Sequence, residues 1–262
     1  MFALERRQLI VKEAREHGRV DVADVAENTG VSSETVRRDL TFLEQQNLLK
    51  RVHGGAVPVE VVASVPDVDE RTDIQAGAKR AIGKAAFAHL PEHGTVLIDA
   101  GTTTAQVAAM IPENREMTVV TNGMPIAESL VRHPLLTVHV LGGRLRSTTL
   151  ATVDHWALEQ LKSLDIDVAF MGTYGVSLTR GFSTPDSFEG AVKRAMVRCA
   201  KKVIVVADSS KIGESHMSVF APLEDVDVLI TDAKADRKQV AELKKSGIRV
   251  ETTRSVKRGK RE

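Results

Sequence analysis

The chain of 262 residues has a single cysteine, Cys199, set among apolar residues, so no disulfide forms within one copy. That usage points to a reducing compartment, the cytoplasm. No apolar run approaches the roughly 18 residues that a membrane span needs. The opening Met1-Phe2-Ala3-Leu4-Glu5-Arg6-Arg7 has no apolar stretch behind it, so neither a signal peptide nor a membrane partner is expected. Charge of one sign is also lacking: 36 Lys and Arg face 35 Asp and Glu, a formal net charge of +1. Any contact with nucleic acid must therefore come from local charge placement, not from a global basic field. There is no Gly-x-Ser-x-Gly elbow, no Walker A loop and no Gly-x-Gly-x-x-Gly after a strand. His89 and His93 are four apart, but Pro91 and Gly94 put them at a helix end with no cysteine or carboxylate cluster nearby, so neither a metal site nor a cofactor is expected. What is present suffices for a packed core, with 42% hydrophobic and 27% charged residues, and the length predicts two domains.

The pattern changes along the chain. Residues 1–57 read as short helices followed by a β-ribbon, 58–72 as a linker, 73–252 as a larger domain, and 253–262 as a free basic tail. Leu9, Ile10 and Ala14 repeat at helical spacing before Gly18. Asp21 and Ser32 are predicted N-caps of two further helices, the last running to about Gln46. In the larger domain the expected strands are Thr95–Asp99, Thr118–Thr121, Thr137–Leu141, Asp167–Met171, Lys202–Ala207 and Asp227–Thr231. Amphipathic stretches separate most of them, which predicts an α/β domain with a mainly parallel sheet.

Ala26, Gly30 and Val36 stand five, nine and fifteen places into a two-helix unit that starts at Val22. A small residue at Ala26 lets the helices approach, Gly30 permits the positive φ of a tight turn, and Val36 packs one helix on the other. With Val36, Leu40 and Leu43 buried, Glu34, Arg38, Thr41 and Gln45 face the other way, flanked by Thr35 and Arg37. Recognition helices present their N-terminal residues to base edges, so Arg37 and Arg38 are candidates for guanine or phosphate contacts. Ser32, Ser33 and Thr35 suit phosphate. The two glycines of Lys50-Arg51-Val52-His53-Gly54-Gly55-Ala56 allow a wing tip to approach a DNA backbone, with Lys50, Arg51, His53 and Gly54 meeting phosphate or the minor groove.

Ser32-Ser33-Glu34-Thr35-Val36-Arg37-Arg38-Asp39-Leu40 followed by Arg51-Val52-His53-Gly54-Gly55-Ala56 resembles the pattern of the DeoR family of bacterial sugar-responsive regulators. The resemblance continues into the second domain. It implies a winged helix-turn-helix joined to an α/β sensor domain similar to the ribose-5-phosphate isomerase fold. It implies further a repressor of a carbohydrate operon that leaves double-stranded operator DNA when a phosphorylated sugar binds. Within the family, Arg51–Ala56, Gly172–Gly175 and Ser183-Thr184-Pro185-Asp186 look most like actinobacterial regulators of fructose or related sugar uptake.

The sensor site is expected at the strand ends, since open α/β sheets bind ligands outside the carboxyl ends of their strands. Asp99-Ala100-Gly101-Thr102-Thr103 precedes the expected helix Ala105–Ile111 and reads as a phosphate cradle. Thr121-Asn122, Gly142-Gly143, Gly172-Thr173 and Lys211 end other strands. Glu189 and Lys193, four apart on a helix, are counted among the effector-binding candidates, with a surface ion pair as the alternative of equal weight. In the isomerase that the family resembles, a glutamate begins the helix before a strand ending in Asp-x-Ser-Lys, as Glu189 and Asp208–Lys211 do here. That isomerase also has a Gly-Ala-Asp-Glu motif, whereas Gly172-Thr173-Tyr174-Gly175 brings no carboxylate, which reads as a sensor and not an enzyme. Asp154-His155-Trp156 is expected to be a helix start with a packed tryptophan. One small winged helix reads a short half-site, so a homo-oligomer, dimer or tetramer, is expected. An isomerase-like enzyme with an accessory DNA-binding domain, and an activator of the same architecture, are the alternatives.

Overall fold

The computed structural model describes residues 3–45, 48–52, 54–58 and 68–253. The chain divides into two units, Met1–Val65 and Pro66–Glu262. His53 of the expected wing, most of the expected linker and nearly all of the basic tail lie outside the described residues.

In the first unit, helices α1 (Ala3–His17), α2 (Val22–Thr29) and α3 (Ser33–Gln45) pack with strands β1 (Val20–Asp21), β2 (Leu49–Val52) and β3 (Gly55–Pro58). The strands form an antiparallel sheet in the order β1-β3-β2. Ile10 and Ala14 of α1 meet Val25 of α2, Val36, Leu40 and Leu43 of α3, and Leu49 and Ala56 of the ribbon in one core. Ser32 caps α3, its hydroxyl accepting from the Thr35 N–H at 3.2 Å, and Gly30 turns the chain at φ 67°. Asp21 precedes α2 without capping it through its side chain; its carboxylate accepts from Arg19 at 2.6 Å instead. Asp39 does not share the exposure of Arg37 and Arg38 beside it. It is buried, accepting from Arg6 at 2.6 Å and Arg7 at 2.7 Å, which ties α3 to α1.

The second unit runs α4 (Val68–Asp73), α5 (Ala76–Ala86), β4 (Thr95–Ile98), α6 (Thr102–Ala108), β5 (Met117–Thr121), α7 (Met124–Leu130) and β6 (Leu136–Val140). There follow β7 (Arg144–Leu145), β8 (Thr152–Val153), α8 (His155–Leu161), β9 (Val168–Gly172), β10 (Gly175–Ser177), β11 (Gly181–Thr184) and α9 (Ser187–Arg198). It ends with β12 (Val203–Val206), β13 (Ser218–Ala221), β14 (Val228–Thr231), α10 (Arg237–Lys245) and β15 (Arg249–Thr252). Seven strands form a parallel sheet in the order β15-β14-β12-β9-β4-β5-β6. All six expected strands are in it. The seventh, β15, has three polar residues of four, and helix α4 occupies part of the stretch read as linker.

Runs such as Val203-Ile204-Val205-Val206 are buried on both faces, as a covered parallel sheet requires. Alternate residues separate into two cores: Ile98, Val119, Phe170 and Ile204 meet α5, α6 and α7, whereas Leu97, Val120, Met171 and Val205 meet α8, α9 and α10. The chain therefore leaves β4 through helices on one face to reach β5 and β6. It returns through helices on the other face to build β9, β12, β14 and β15. The direction of sheet growth reverses between β4 and β9, and the crevice of this fold opens there. Among the described residues, no helix is long and apolar enough to cross a membrane.

Gly55 illustrates how tightly the first unit is built. A Cβ there would lie 2.0 Å from the Val20 carbonyl oxygen, so the glycine lets β3 sit against β1 and is not reserved for DNA. Gly55→Ala should cost about 1–3 kcal/mol in the first unit by overpacking. In the full chain, denaturant unfolding followed in both units should show the first melting earlier and the second unchanged.

Candidate functional site

Two surfaces collect the residues singled out by the sequence. On the first unit, α3 presents Glu34, Arg37 and Arg38 to solvent, the arginine side chains 56% and 81% exposed. Both guanidinium groups lie near the Glu34 carboxylate, at 3.8 and 3.7 Å, a weak exposed association that a stronger anion displaces. Ser33, Arg37, Arg51 and Gly54 line one groove between the helices and the ribbon, and Lys50 is exposed beside it. Arg51 is fastened to the recognition helix: its N–H donates to Glu44 at 2.9 Å and its guanidinium to the Thr41 hydroxyl at 3.1 Å. That strut was not foreseen, because it joins residues seven and ten apart across a turn. Ser32 is spent on its cap and on Thr35.

The second surface is the crevice between the carboxyl ends of β4 and β9. Asp99 follows β4 and is 1% exposed. Its carboxylate accepts from the Gly172 N–H at 2.9 Å and takes an ion pair from Lys193, whose ammonium also donates to the Gly172 carbonyl at 3.1 Å. Burial pushes the Asp99 carboxyl up and the Lys193 charge opposes that push. Glu189, one turn earlier on α9, is equally buried and accepts from Arg146 at 2.8 Å, Thr149 at 2.7 Å and Thr184 at 3.3 Å. Glu189 and Lys193 are thus not a surface pair: each reaches a partner from another element. The cleft does hold carboxylates, contrary to the expectation from Gly172–Gly175 alone, and both are engaged by cations.

Arg71, Asp99, Ala100, Asn122, Thr149, Tyr174, Glu189 and Lys193 converge on this cleft. Asn122 holds its shape, accepting from the Ala100 N–H at 2.8 Å and donating to the Thr152 carbonyl at 3.2 Å. Thr121 is wholly buried and donates to Ile98 at 2.6 Å, a framework role. Thr173 likewise serves the local turn through Gly175 and Ser183. Gly142 accepts no place in the cleft: its N–H goes to Gln160 at 3.0 Å, and Gly143, at φ 144°, packs on the Val153 carbonyl. Gly101, Thr102 and Thr103 start α6 and are half-buried.

Arg71 was missed because it falls in a stretch that reads as linker. One of its nitrogens donates to the Tyr174 hydroxyl at 2.6 Å, while Nε and Nη2 are buried with no hydrogen-bond partner among the described residues. Burial pushes the Tyr174 hydroxyl up, so it stays a neutral phenol that accepts from Arg71 and keeps its own proton to donate. Buried Lys79 donates to the Arg71 carbonyl, and burial lowers its ammonium against the attraction of Asp208, with Arg71 and Lys211 also within electrostatic reach. Lys211 therefore belongs to a cationic group with Arg71 and Lys79. The unfilled space in the cleft is about 10 Å³, room for about one water molecule. Trp156, expected to be packed, is 63% exposed; Asp154 does start α8, accepting the Trp156 N–H at 3.0 Å. Among the described residues no group of three or more His, Cys, Asp or Glu is placed to hold a metal.

Residues 6–61 match the family model of the DeoR-like helix-turn-helix domain, and residues 74–233 that of the DeoR C terminal sensor domain. Among curated relatives, the HTH-type transcriptional regulator GlpR of Haloferax volcanii is 35% identical over 95% of this chain and 98% of its own. The transcriptional repressor AccR of Agrobacterium fabrum is 33% identical over 87% and 89%. The HTH-type transcriptional repressor GlcR of Bacillus subtilis is 32% identical over 88% and 89%. Among solved structures, a D-ribose-5-phosphate isomerase in complex with phospho-erythronic acid aligns with a TM-score of 0.38 at 16% identity, covering 56% of this chain and 55% of that one. That likeness is too slight to argue from.

The ion pair of the cleft sets a measurable expectation. Asp99→Asn leaves the Lys193 charge buried and uncompensated, and should cost about 3–5 kcal/mol of stability. With Lys193→Met added, the loss should be smaller than the sum of the two single losses by about 1–3 kcal/mol in urea unfolding. Additive losses would show that the two side chains do not depend on each other.

Proposed function

Because this chain belongs to the DeoR family of helix-turn-helix transcriptional regulators, we propose that it represses a carbohydrate uptake or catabolism operon and leaves its operator when a phosphorylated sugar binds. The observation that carries this reading is the pair of buried, partnerless Arg71 nitrogens facing a polar cleft at the sheet's switch point. A guanidinium fork matches two oxygens of a phosphate, and the Tyr174 hydroxyl has a proton to add. Lys79 and Lys211 supply further positive charge close by. Thr102 and Thr103 start α6 directly after the Asp99–Gly101 turn, and their hydroxyls are the further partners we assign to the same anion. Asn122, Thr149 and Glu189 are suited to sugar hydroxyls. The protein acts in the cytoplasm as a dimer or tetramer, with Ser33, Arg37, Arg38, Lys50 and Arg51 meeting operator DNA and no cofactor involved.

The cleft carboxylates are held in ion pairs, which suits a binding site better than a general base whose lone pair must be free. An isomerase would turn over aldose and ketose phosphates, so a turnover assay separates the two readings. An activator of the same architecture would lower, not raise, transcription of the target operon when the gene is deleted.

Arg37→Ala or Arg38→Ala should weaken operator binding by about 1–3 kcal/mol if a bidentate base contact is lost. Thr102→Ala, Arg71→Ala and Lys211→Ala should bind operator within a few-fold of the parent protein yet no longer release it. Gel shifts titrated with a panel of sugar phosphates read both effects. Release of these variants at the parent's ligand concentration would overturn the site assignment.

A further inference from the structure

The two edges of the seven-stranded sheet are built differently. At one edge β15 carries Arg249 and Glu251, paired to each other at 2.6 Å, with Glu251 also meeting His89 at 3.0 Å. Such charges guard an edge against pairing. The other edge, β6, reads Leu136-Thr137-Val138-His139-Val140, with no acid, lysine, arginine or proline. Among the described residues no strand pairs with its outer side. The Leu141 N–H donates inward to Thr121 at 2.8 Å. By the two-residue period of a strand, Thr137 and His139 also turn their backbone groups toward β5. Val138 and Val140 therefore turn theirs outward, away from any partner strand among the described residues, while the Leu136 N–H is taken by the His133 carbonyl at 3.3 Å. Val131, Leu135 and Val140 beside this edge are 65, 46 and 42% exposed.

We infer that β6 pairs antiparallel with β6 of a second copy of this chain, across a two-fold axis at Val138, joining two seven-stranded sheets into one. The inference rests on the proposed reading of the chain as an operator-binding oligomer and supplies the surface for it. The sequence of the strand is self-complementary in this register. Val138 faces Val138 of the second copy and exchanges both backbone bonds with it. Val140 faces the second copy's Leu136 and donates to its carbonyl, which leaves the occupied Leu136 N–H undisturbed. Apolar pairs then line one face, with Thr137 opposite His139 on the other. Such cross-strand pairs are the unit of sheet stabilisation. Glu128 on α7 and Arg132 just after it, both exposed, bring one charge of each sign to the segment that leads into this edge, so they add no net charge for a second copy to meet. A hetero-partner strand would need none of this self-complementarity, and isologous pairing is the commonest way for a soluble chain to close an assembly.

The test uses the full-length protein in light scattering and operator binding. Val140→Lys puts a charge on an already exposed position, so the fold should hold, as circular dichroism will verify. It should shift the dimer (or the tetramer, to dimers) toward smaller species, raising the dissociation constant at least about tenfold. In a Cys199→Ser background, Val138→Cys should give a covalent dimer on mild oxidation, since antiparallel partners lie within disulfide reach. Thr252→Cys, on the guarded edge, should not. A parent protein that is monomeric at micromolar concentration overturns both the oligomer reading and this surface. An oligomer that Val140→Lys leaves intact, with no cross-link at position 138, overturns the surface alone.

Discussion

The ion pair between Asp99 and Lys193 is the contact on which the sensor unit's site depends. It lies just past the ladder that joins β4 and β9, where the sheet changes its direction of growth. Two charges buried at this depth cost several kcal/mol each unless both are paired and hydrogen-bonded. Asp99 has the Gly172 N–H and Lys193, and Lys193 has Asp99 and the Gly172 carbonyl. Together they pin α9 across the ends of two strands. Once α9 is fixed in that way, Glu189 is delivered into the same cleft one turn away, where Arg146 and Thr149 of the β7–β8 connection close over it. A local electrostatic requirement at the switch point thus decides which helix covers the site and which loop folds onto it.

The fold was largely legible because its strands are runs of valine, leucine and isoleucine buried on both faces, and such runs announce themselves without knowledge of their neighbours. The helix-turn-helix was legible for a similar reason: Gly30 and the Val36, Leu40, Leu43 stripe are local in sequence. The cleft was legible only in part. Asp99, Asn122, Gly172, Glu189 and Lys193 were marked, yet strand order decides which strand ends meet, and strand order is set by contacts distant in sequence. Gly142 and Gly143 end a strand as Gly172 does, but they turn into β7 and pack there. The helical spacing of Glu189 and Lys193 suggested each other as partners, whereas burial obliged each to find a partner on a different element. Tyr174, the single tyrosine, stood beside Gly172 and was the one overlooked residue with a signal to offer. Arg71 had none, since a polar stretch after two prolines looks like linker until its side chain is seen to turn inward.

On the proposed reading, Arg71 is also the residue through which a ligand in the sensor unit would act on the chain that leads to the DNA-binding unit. Helix α4 has six residues, too few to be stable alone. It is held to the sensor unit through Arg71, by its guanidinium on Tyr174 and by its carbonyl on Lys79. As the cleft stands, about one water fits, so the proposed sugar phosphate would enter only if lining side chains gave way. The two partnerless nitrogens make Arg71 the side chain with most to gain from an arriving anion. A ligand shifts an equilibrium only by the difference in its affinity for the two states. A phosphate that recruits Arg71 away from Tyr174 would have such a difference, because the one nitrogen now spent on the Tyr174 hydroxyl would join the two already available. On the proposed reading, α4 directly follows the stretch that joins the units, so a repositioned Arg71 would act on that stretch through the covalent chain. No rigid wire through the protein would then be needed for the signal: a short helix with two anchors, one of which the ligand would compete for, would serve as the two-state element that coupling between distant sites requires.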